Sequence, residues 1–171
     1  MANRTGHLAL GFSGEEEAAR YLTGEGWRLL ARNWRPAGAA RGLELDIVAV
    51  HGDCIVFVEV KTRRLRSGEA PENARAGYGP RRAGASVPPG AARYSPLSVP
   101  VYGALTASKQ KNLRRAAGRY LSAYGLWSRP CRCDLICIEH LPDGRARLEH
   151  YSNVLDFRQV VDSGNAAWQP W

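Results

Sequence analysis

Two apolar runs joined by a tight polar turn constrain this chain more than any other feature. They are Leu43 to Val50 (LELDIVAV) and Cys54 to Thr62 (CIVFVEVKT), and His51, Gly52 and Asp53 between them supply hairpin turn chemistry. The second run is almost continuously apolar, which predicts a central strand buried on both faces. With Gly52-Asp53 as the loop, His51 faces Cys54; counted outward, Asp46 faces Glu59 and Glu44 faces Lys61. Facing residues of an antiparallel pair hold their Cβ atoms about 4.5–5.5 Å apart. Strand side chains alternate, so Lys61 projects from the same side as Glu59.

That arrangement has a cost. Asp46 shares its face with Val48 and Val50, and Glu59 shares its face with Ile55 and Phe57. Neighbouring carboxylates on an apolar face repel one another and lose hydration, at several kcal/mol per buried ion. A divalent cation would neutralise the pair, and Mg²⁺ (or Mn²⁺) suits carboxylate oxygens supplemented by water and phosphate. The competing reading puts Asp46, Glu59 and Lys61 where the strands emerge into solvent, as ordinary surface ion pairs. Glu15 adds weight to the first reading. It shares a helical face with Ala18, Ala19 and Leu22 and so points at the sheet, whereas Glu16 is occupied as a capping-box residue and as an i,i+4 partner of Arg20.

The remaining elements follow from periodicity. A helix is predicted over Gly14 to Thr23, with Ser13 as its N-cap and Gly24 and Gly26 as its stop. A strand is predicted over Trp27 to Trp34. Residues 66–100 turn to Pro, Gly, Ala and Arg with little periodicity and read as an extended, mobile loop inserted into the domain. A helix is predicted over Ala107 to Tyr124, because Leu113, Ala116, Ala117, Tyr120, Leu121 and Tyr124 form one apolar stripe. Arg132 to His140 and Arg145 to Tyr151 read as a final hairpin around Pro142-Asp143-Gly144. The order α-β-β-β-α-β-β gives an α/β sandwich with a mixed sheet: one domain over residues 1–155, then a tail over 156–171.

The net charge of +8 and pI near 9.7 favour a polyanionic partner, since Lys and Arg gain counterion-release entropy on phosphates. Arg63 and Arg64 directly follow the acid-bearing strand, and Lys109, Lys111, Arg114 and Arg115 sit on the second helix as candidate nucleic-acid contacts. The competing reading of that helix face, Arg119 included, is simple solvation. Cys54, Cys131, Cys133 and Cys137 lack the spacing of a zinc site; the last three share one strand parity and read as reduced core residues. His7 and His150, with no second ligand at suitable spacing, read as structural. Trp34, Trp127, Trp168 and Trp171 form no evident stacking platform. No apolar run reaches the roughly 20 residues of a membrane span, and the first ten residues carry no signal-peptide pattern. A cytoplasmic protein without a membrane partner is the expectation.

Several of these residues also carry a resemblance. Gly11-x-x-Gly14-Glu15-x-x-Ala18-x-x-Tyr21-Leu22, Ala31-Arg32-Asn33-Trp34-Arg35, Glu44-Leu45-Asp46-Ile47-Val48-Ala49 and Val56-Phe57-Val58-Glu59-Val60-Lys61-Thr62-Arg63 together resemble the YraN family. The match resumes at Thr106-x-x-Lys109, at Arg132-x-Asp134 and at Glu149-His150. The resemblance implies a restriction-endonuclease-like fold of the PD-(D/E)XK type. It also implies a Mg²⁺- or Mn²⁺-dependent nuclease acting on DNA, branched or single-stranded structures among its substrates. Asp46 and Glu59 would be the metal ligands, Lys61 the catalytic lysine and Glu15 the first-helix acid. Junction-resolving relatives cut in pairs, which implies a homodimer. Leu43 stands between Gly42 and Glu44, where the family has glycine directly before the acid, and the 66–100 insertion and the tail exceed the family pattern. A non-catalytic nucleic-acid-binding module, or an adaptor in DNA processing, remains the second reading of the same fold.

Overall fold

The computed structural model describes residues 4–38, 42–65, 105–155 and 157, with side chains in the first helix from Gly14 onward. In chain order the elements are α1 (Arg4–Gly24), β1 (Arg28–Trp34), β2 (Leu45–His51), β3 (Cys54–Arg64), α2 (Ala107–Tyr124), β4 (Cys131–His140) and β5 (Ala146–Leu155). The strands form one sheet in the order β1-β2-β3-β4-β5. β3 pairs parallel with β4, and every other neighbouring pair is antiparallel. A parallel pair needs a crossover, and α2 provides it. The expected mixed sheet, with β3 at its centre, is therefore what the chain forms.

The helices cover opposite faces of the sheet. Ala18, Ala19 and Leu22 of α1 pack on Ile47, Val56, Val58, Ile136 and Ile138. Leu113, Ala116, Ala117, Tyr120 and Leu121 of α2 pack with Val48, Ile55, Phe57 and Cys133. Odd positions of β3 thus face α2 and even positions face α1, the period-two alternation of a strand. Burying each such Leu, Ile, Val or Phe contributes about 1.5–3 kcal/mol. Phe157, two residues beyond β5, lies over Phe57 with ring centroids 5.8 Å apart, so the core extends past residue 155.

The first-helix start is a correction. α1 begins at Arg4, so Ser13 lies inside the helix and not at its N-cap position. Residues 4–13 contain no proline, so nothing in them forbids a helix, although Gly6 and Gly11 cost about 1 kcal/mol each. Glu16 pairs not along the helix with Arg20 but across to Arg32 of β1, at 2.9 Å. The stop is as expected: Gly26 adopts φ 81°, and Trp27 N–H donates to the Leu22 carbonyl at 2.9 Å. The 66–100 insertion, with Arg75, Arg81, Arg82 and Arg93, and the tail bearing Trp168 and Trp171 lie outside the described residues, as does the His7 side chain.

Gly14 marks the closest approach of α1 to the sheet. A Cβ there would lie 3.0 Å from Thr62 Cβ and nearer still to Thr62 Oγ1. Overpacking of this kind costs about 1–3 kcal/mol. Gly14→Ala is expected to lower the urea midpoint accordingly, and adding Thr62→Ala, which removes the hydroxyl in the way, should recover part of the loss. Equal stability of Gly14→Ala and wild type would show that α1 can lift off the sheet at no cost.

Candidate active site

β2 and β3 follow the expected register from His51–Cys54 to Ile47–Val58, and there the ladder ends. Asp46 is the next residue outward. Its carboxylate fills the place of the missing backbone partner: Val60 N–H donates to Asp46 Oδ2 at 2.9 Å. Side-chain alternation also breaks here, since Leu45 joins Val48 in the α2-side cluster although Ile47 between them faces α1. Pairing of Glu44 with Lys61 does not occur; Glu44 binds Arg35 at 2.6 Å, because the ladder that would have aligned it has already ended.

Glu59 stands on the α2 side of β3 and is 1% exposed, and Asp46 is 8% exposed. Lys61 Nζ donates to Glu59 Oε1 at 2.6 Å. Lys109 reaches the same carboxylate from α2, its Nζ 2.9 Å from Oε2 in an ion pair whose angle leaves that oxygen without an accepted hydrogen bond. The start of α2 holds Lys109 in position. Thr106 caps the helix, its hydroxyl accepting the Lys109 backbone N–H at 3.3 Å, and Gln110 Nε2 donates to the Leu105 carbonyl at 2.9 Å. Lys109, read from the sequence as a nucleic-acid contact, thus joins the acid cluster itself.

Electrostatics distinguish the two acids. Burial first, and then the Glu59 carboxylate, push the Asp46 carboxyl up to about 7; the Val60 N–H and Lys109 oppose the shift, and Glu15 adds to it. Burial pulls the Lys109 ammonium down, but the charge of Glu59 beside it, with Asp46 and Glu44 adding to it, outweighs that and the group ends above its ordinary value. Glu15 Oε2 is buried with no hydrogen-bond partner, on the helix turn that also carries Gly14. Both ammonium groups pair with Glu59, so among the described residues Asp46 and Glu15 have no ion-pair partner.

The donor set fits a divalent cation in part. Among the described residues no three His, Cys, Asp or Glu side chains converge as a ready-made cage. Two carboxylates, one of them pushed up by burial and by the other, suit an ion such as Mg²⁺, which keeps several waters and takes one or two protein carboxylates together with substrate phosphate. Arg63 and Arg64 sit exposed at the end of β3, in register with Glu139 and His140. Lys111 and Arg115 lie on the exposed side of α2, and Arg114 is half-buried.

Sequence reasoning missed a second polar cluster, on the α1 side. Asp134, 0% exposed, accepts a fork of two bonds from Arg132 (2.9 and 3.1 Å), the backbone N–H of Asn153 (2.8 Å) and His150 Nε2 at 3.0 Å. His150 thus has the carboxylate partner that its sequence neighbourhood did not show. A β-bulge between Cys133 and Leu135 brings Asn153, at φ 56°, onto Asp134. Arg132 lies over the Trp27 ring at 5.5 Å, and Trp27 stacks on His51 with centroids 4.5 Å apart. The available signal was parity: Arg132 and Asp134 share the face of Ile136, which pairs with His150. The four cysteines are free thiols; of the three expected in the core Cys133 is buried, whereas Cys131 and Cys137 are half-buried.

Among the described residues no helix is long and apolar enough to cross a membrane. The model of the uncharacterised protein family UPF0102 matches residues 14–78, which include Glu15, Asp46, Glu59 and Lys61. A UPF0102 protein of Nitratidesulfovibrio vulgaris (strain DP4) is 36% identical over 163 residues, covering 95% of this chain and 96% of that protein. One from Symbiobacterium thermophilum is 38% identical, over 84% and 93% of the two chains. One from Oleidesulfovibrio alaskensis is 30% identical, over 96% and 94%.

Proposed function

This chain belongs to UPF0102, the YraN family, and within that family we propose that it is a metal-dependent nuclease hydrolysing phosphodiester bonds in DNA. One observation carries the reading. Two buried acids meet at the edge of an apolar sheet beside two lysines, and one of the acids lacks a cation. Asp46 and Glu59 would hold Mg²⁺ or Mn²⁺, with Glu15 close enough to act on Asp46 through its charge. When bound, the ion would neutralise charge on the scissile phosphate and acidify an attacking water.

The rest of the chemistry belongs to the chain. Lys61, with a 40% exposed side chain, commits one donor to Glu59 and has further N–H donors to set against a phosphate oxygen as negative charge develops on it. Lys109 is more deeply placed and sets its positive charge against the Glu59 carboxylate. The Val60 N–H fixes the direction of Asp46. Arg63 and Arg64, at the exposed end of the same strand, would take up flanking phosphates. Paired cuts at a junction would take two copies of the chain, one site per strand.

The test is cleavage of branched, flapped and single-stranded DNA with Mg²⁺ or Mn²⁺. Wild type is expected to cut at least one class and Asp46→Ala to cut none. Equal activity in both would assign the cutting to a contaminant. The non-catalytic reading has one observation of its own, the double ion pair that already balances Glu59. A binding module would hold DNA in a metal-independent way and turn over none of it.

A further inference from the structure

The outer side of α2 carries charge of one sign only. Its sequence, ASKQKNLRRAAGRYLSAY, contains five Lys or Arg residues and no acid. Lys109 turns inward to Glu59. Lys111, Arg115 and Arg119 are exposed, and they recur every four residues, so they line one stripe opposite the buried Leu113, Ala116, Ala117 and Tyr120. Successive members stand roughly 6 Å apart along the axis, a spacing comparable with that of phosphates along an extended strand. A helix face laced with acids would be ordinary solvated surface; this one offers cations alone.

At the far end of the stripe lies an aromatic side chain that the fold does not bury. Trp127 is 44% exposed, one of two large hydrophobic side chains so exposed among the described residues. It follows the helix cap at Gly125 and folds back over the outer face. Its indole N–H donates to Ser122 Oγ at 3.0 Å, and its ring edge lies 3.7 Å from where a Cβ on Gly118 would stand. Gly118 and Ser122 fall on the same side of the helix as Lys111, Arg115 and Arg119. The ring is therefore held in a fixed orientation beside the cations with part of its surface open.

We propose that the outer face of α2 is a track for a single-stranded nucleic-acid arm, with Lys111, Arg115 and Arg119 on successive phosphates and Trp127 stacking on an unpaired base. Point charges follow a backbone without reading its sequence, and an aromatic face accepts any base, which is the chemistry of non-specific single-strand binding. A duplex keeps its bases stacked on one another and offers Trp127 nothing to stack on. The proposal rests on the nuclease reading for its biology, since an arm led past the start of α2 arrives at Lys109 and Glu59, but binding along the track needs no turnover.

The experiment is fluorescence anisotropy of a labelled oligothymidine and of a blunt duplex with the full chain in chelator, where no cutting occurs, with cleavage assayed separately. Trp127→Ala is expected to weaken oligothymidine binding by about tenfold or more, with Trp127→Phe close to wild type and duplex binding unmoved by either. The combined Lys111→Ala, Arg115→Ala and Arg119→Ala variant should reduce the slope of log affinity against log salt by about 2, from roughly 0.7 per phosphate on single strands. That variant touches no buried residue, so it tests the track even should Trp127→Ala unfold. Unchanged affinity in Trp127→Ala, an unchanged salt slope in the triple variant, or equal Trp127 dependence for duplex would overturn the proposal. Absence of cleavage by the wild-type chain, with these binding results intact, would sink the nuclease reading alone.

Discussion

Asp46→Asn is expected to be more stable than wild type in metal-free buffer at pH 8, by on the order of 4 kcal/mol, and to lose cleavage by about a thousandfold when assayed with Mg²⁺ or Mn²⁺. The stability term follows from the Asp46 carboxyl, which burial and then Glu59 push up to about 7, against about 3.9 for an unfolded Asp. Between those values the folded state holds a proton that the unfolded state has released, so wild-type stability falls as pH rises from about 4 to about 7 and stays low above it. Asparagine carries no charge to desolvate, and its side-chain oxygen can still accept the Val60 N–H. The stability gap between variant and wild type should therefore open across pH 4–7 and then remain constant. Urea unfolding at a series of pH values measures it. A gap independent of pH, or a less stable variant at pH 8, would mean that Asp46 is not a desolvated acid. Better folding with worse chemistry is what a residue kept for function against stability should give.

Asp134→Ala should act in the opposite direction and as strongly, costing about 3–5 kcal/mol. Asp134 is fully buried, and its removal would strand the Arg132 guanidinium, His150 and the Asn153 N–H together. Burial alone would raise the Asp134 carboxyl, but the bonds from His150 and Arg132 outweigh it and hold the group below its ordinary value. A depressed folded pKa stabilises above the unfolded value of about 3.9 and is lost as pH falls through the folded one, so the penalty of Asp134→Ala should shrink only in strong acid. A loss under 1 kcal/mol near neutral pH would show that the cluster relaxes into solvent. Since it lies on the α1 face, Asp134→Ala protein that still folds should keep its metal affinity.

Much of this was legible in the chain because period and pattern decide it. The apolar run before Glu59 fixed β3 as the central strand, and the stripe from Leu113 to Tyr124 defined α2 to the residue. The hairpin turn set the β2–β3 register, which brought Asp46 to within one residue of its observed place. What pattern could not show was where the ladder ends. A carboxylate that replaces a backbone partner leaves no mark in alternation, so Asp46 meets Val60 and Glu44 meets Arg35 instead of Lys61. Long-range partners were equally hidden. Lys109 lies far from Glu59 in sequence, across the crossover, and the Asp134–His150 pair depends on a β-bulge that shifts the hairpin register. The early start of α1 was hidden for a different reason: Ser13 and Glu16 make a capping box in sequence, yet the helix runs on upstream of it to Arg4.

The account depends on one relation, that Asp46 and Glu59 share a cation. Calorimetric titration of the full chain with Mn²⁺ at pH 8 addresses it without any substrate. One ion per chain should bind wild type, and Asp46→Asn and Glu59→Gln should each abolish that binding, while Arg115→Ala leaves it intact. No binding to wild type at low-millimolar Mn²⁺, or binding that survives both acid substitutions, would contradict the account and leave a basic sheet domain whose buried acids serve its lysines alone.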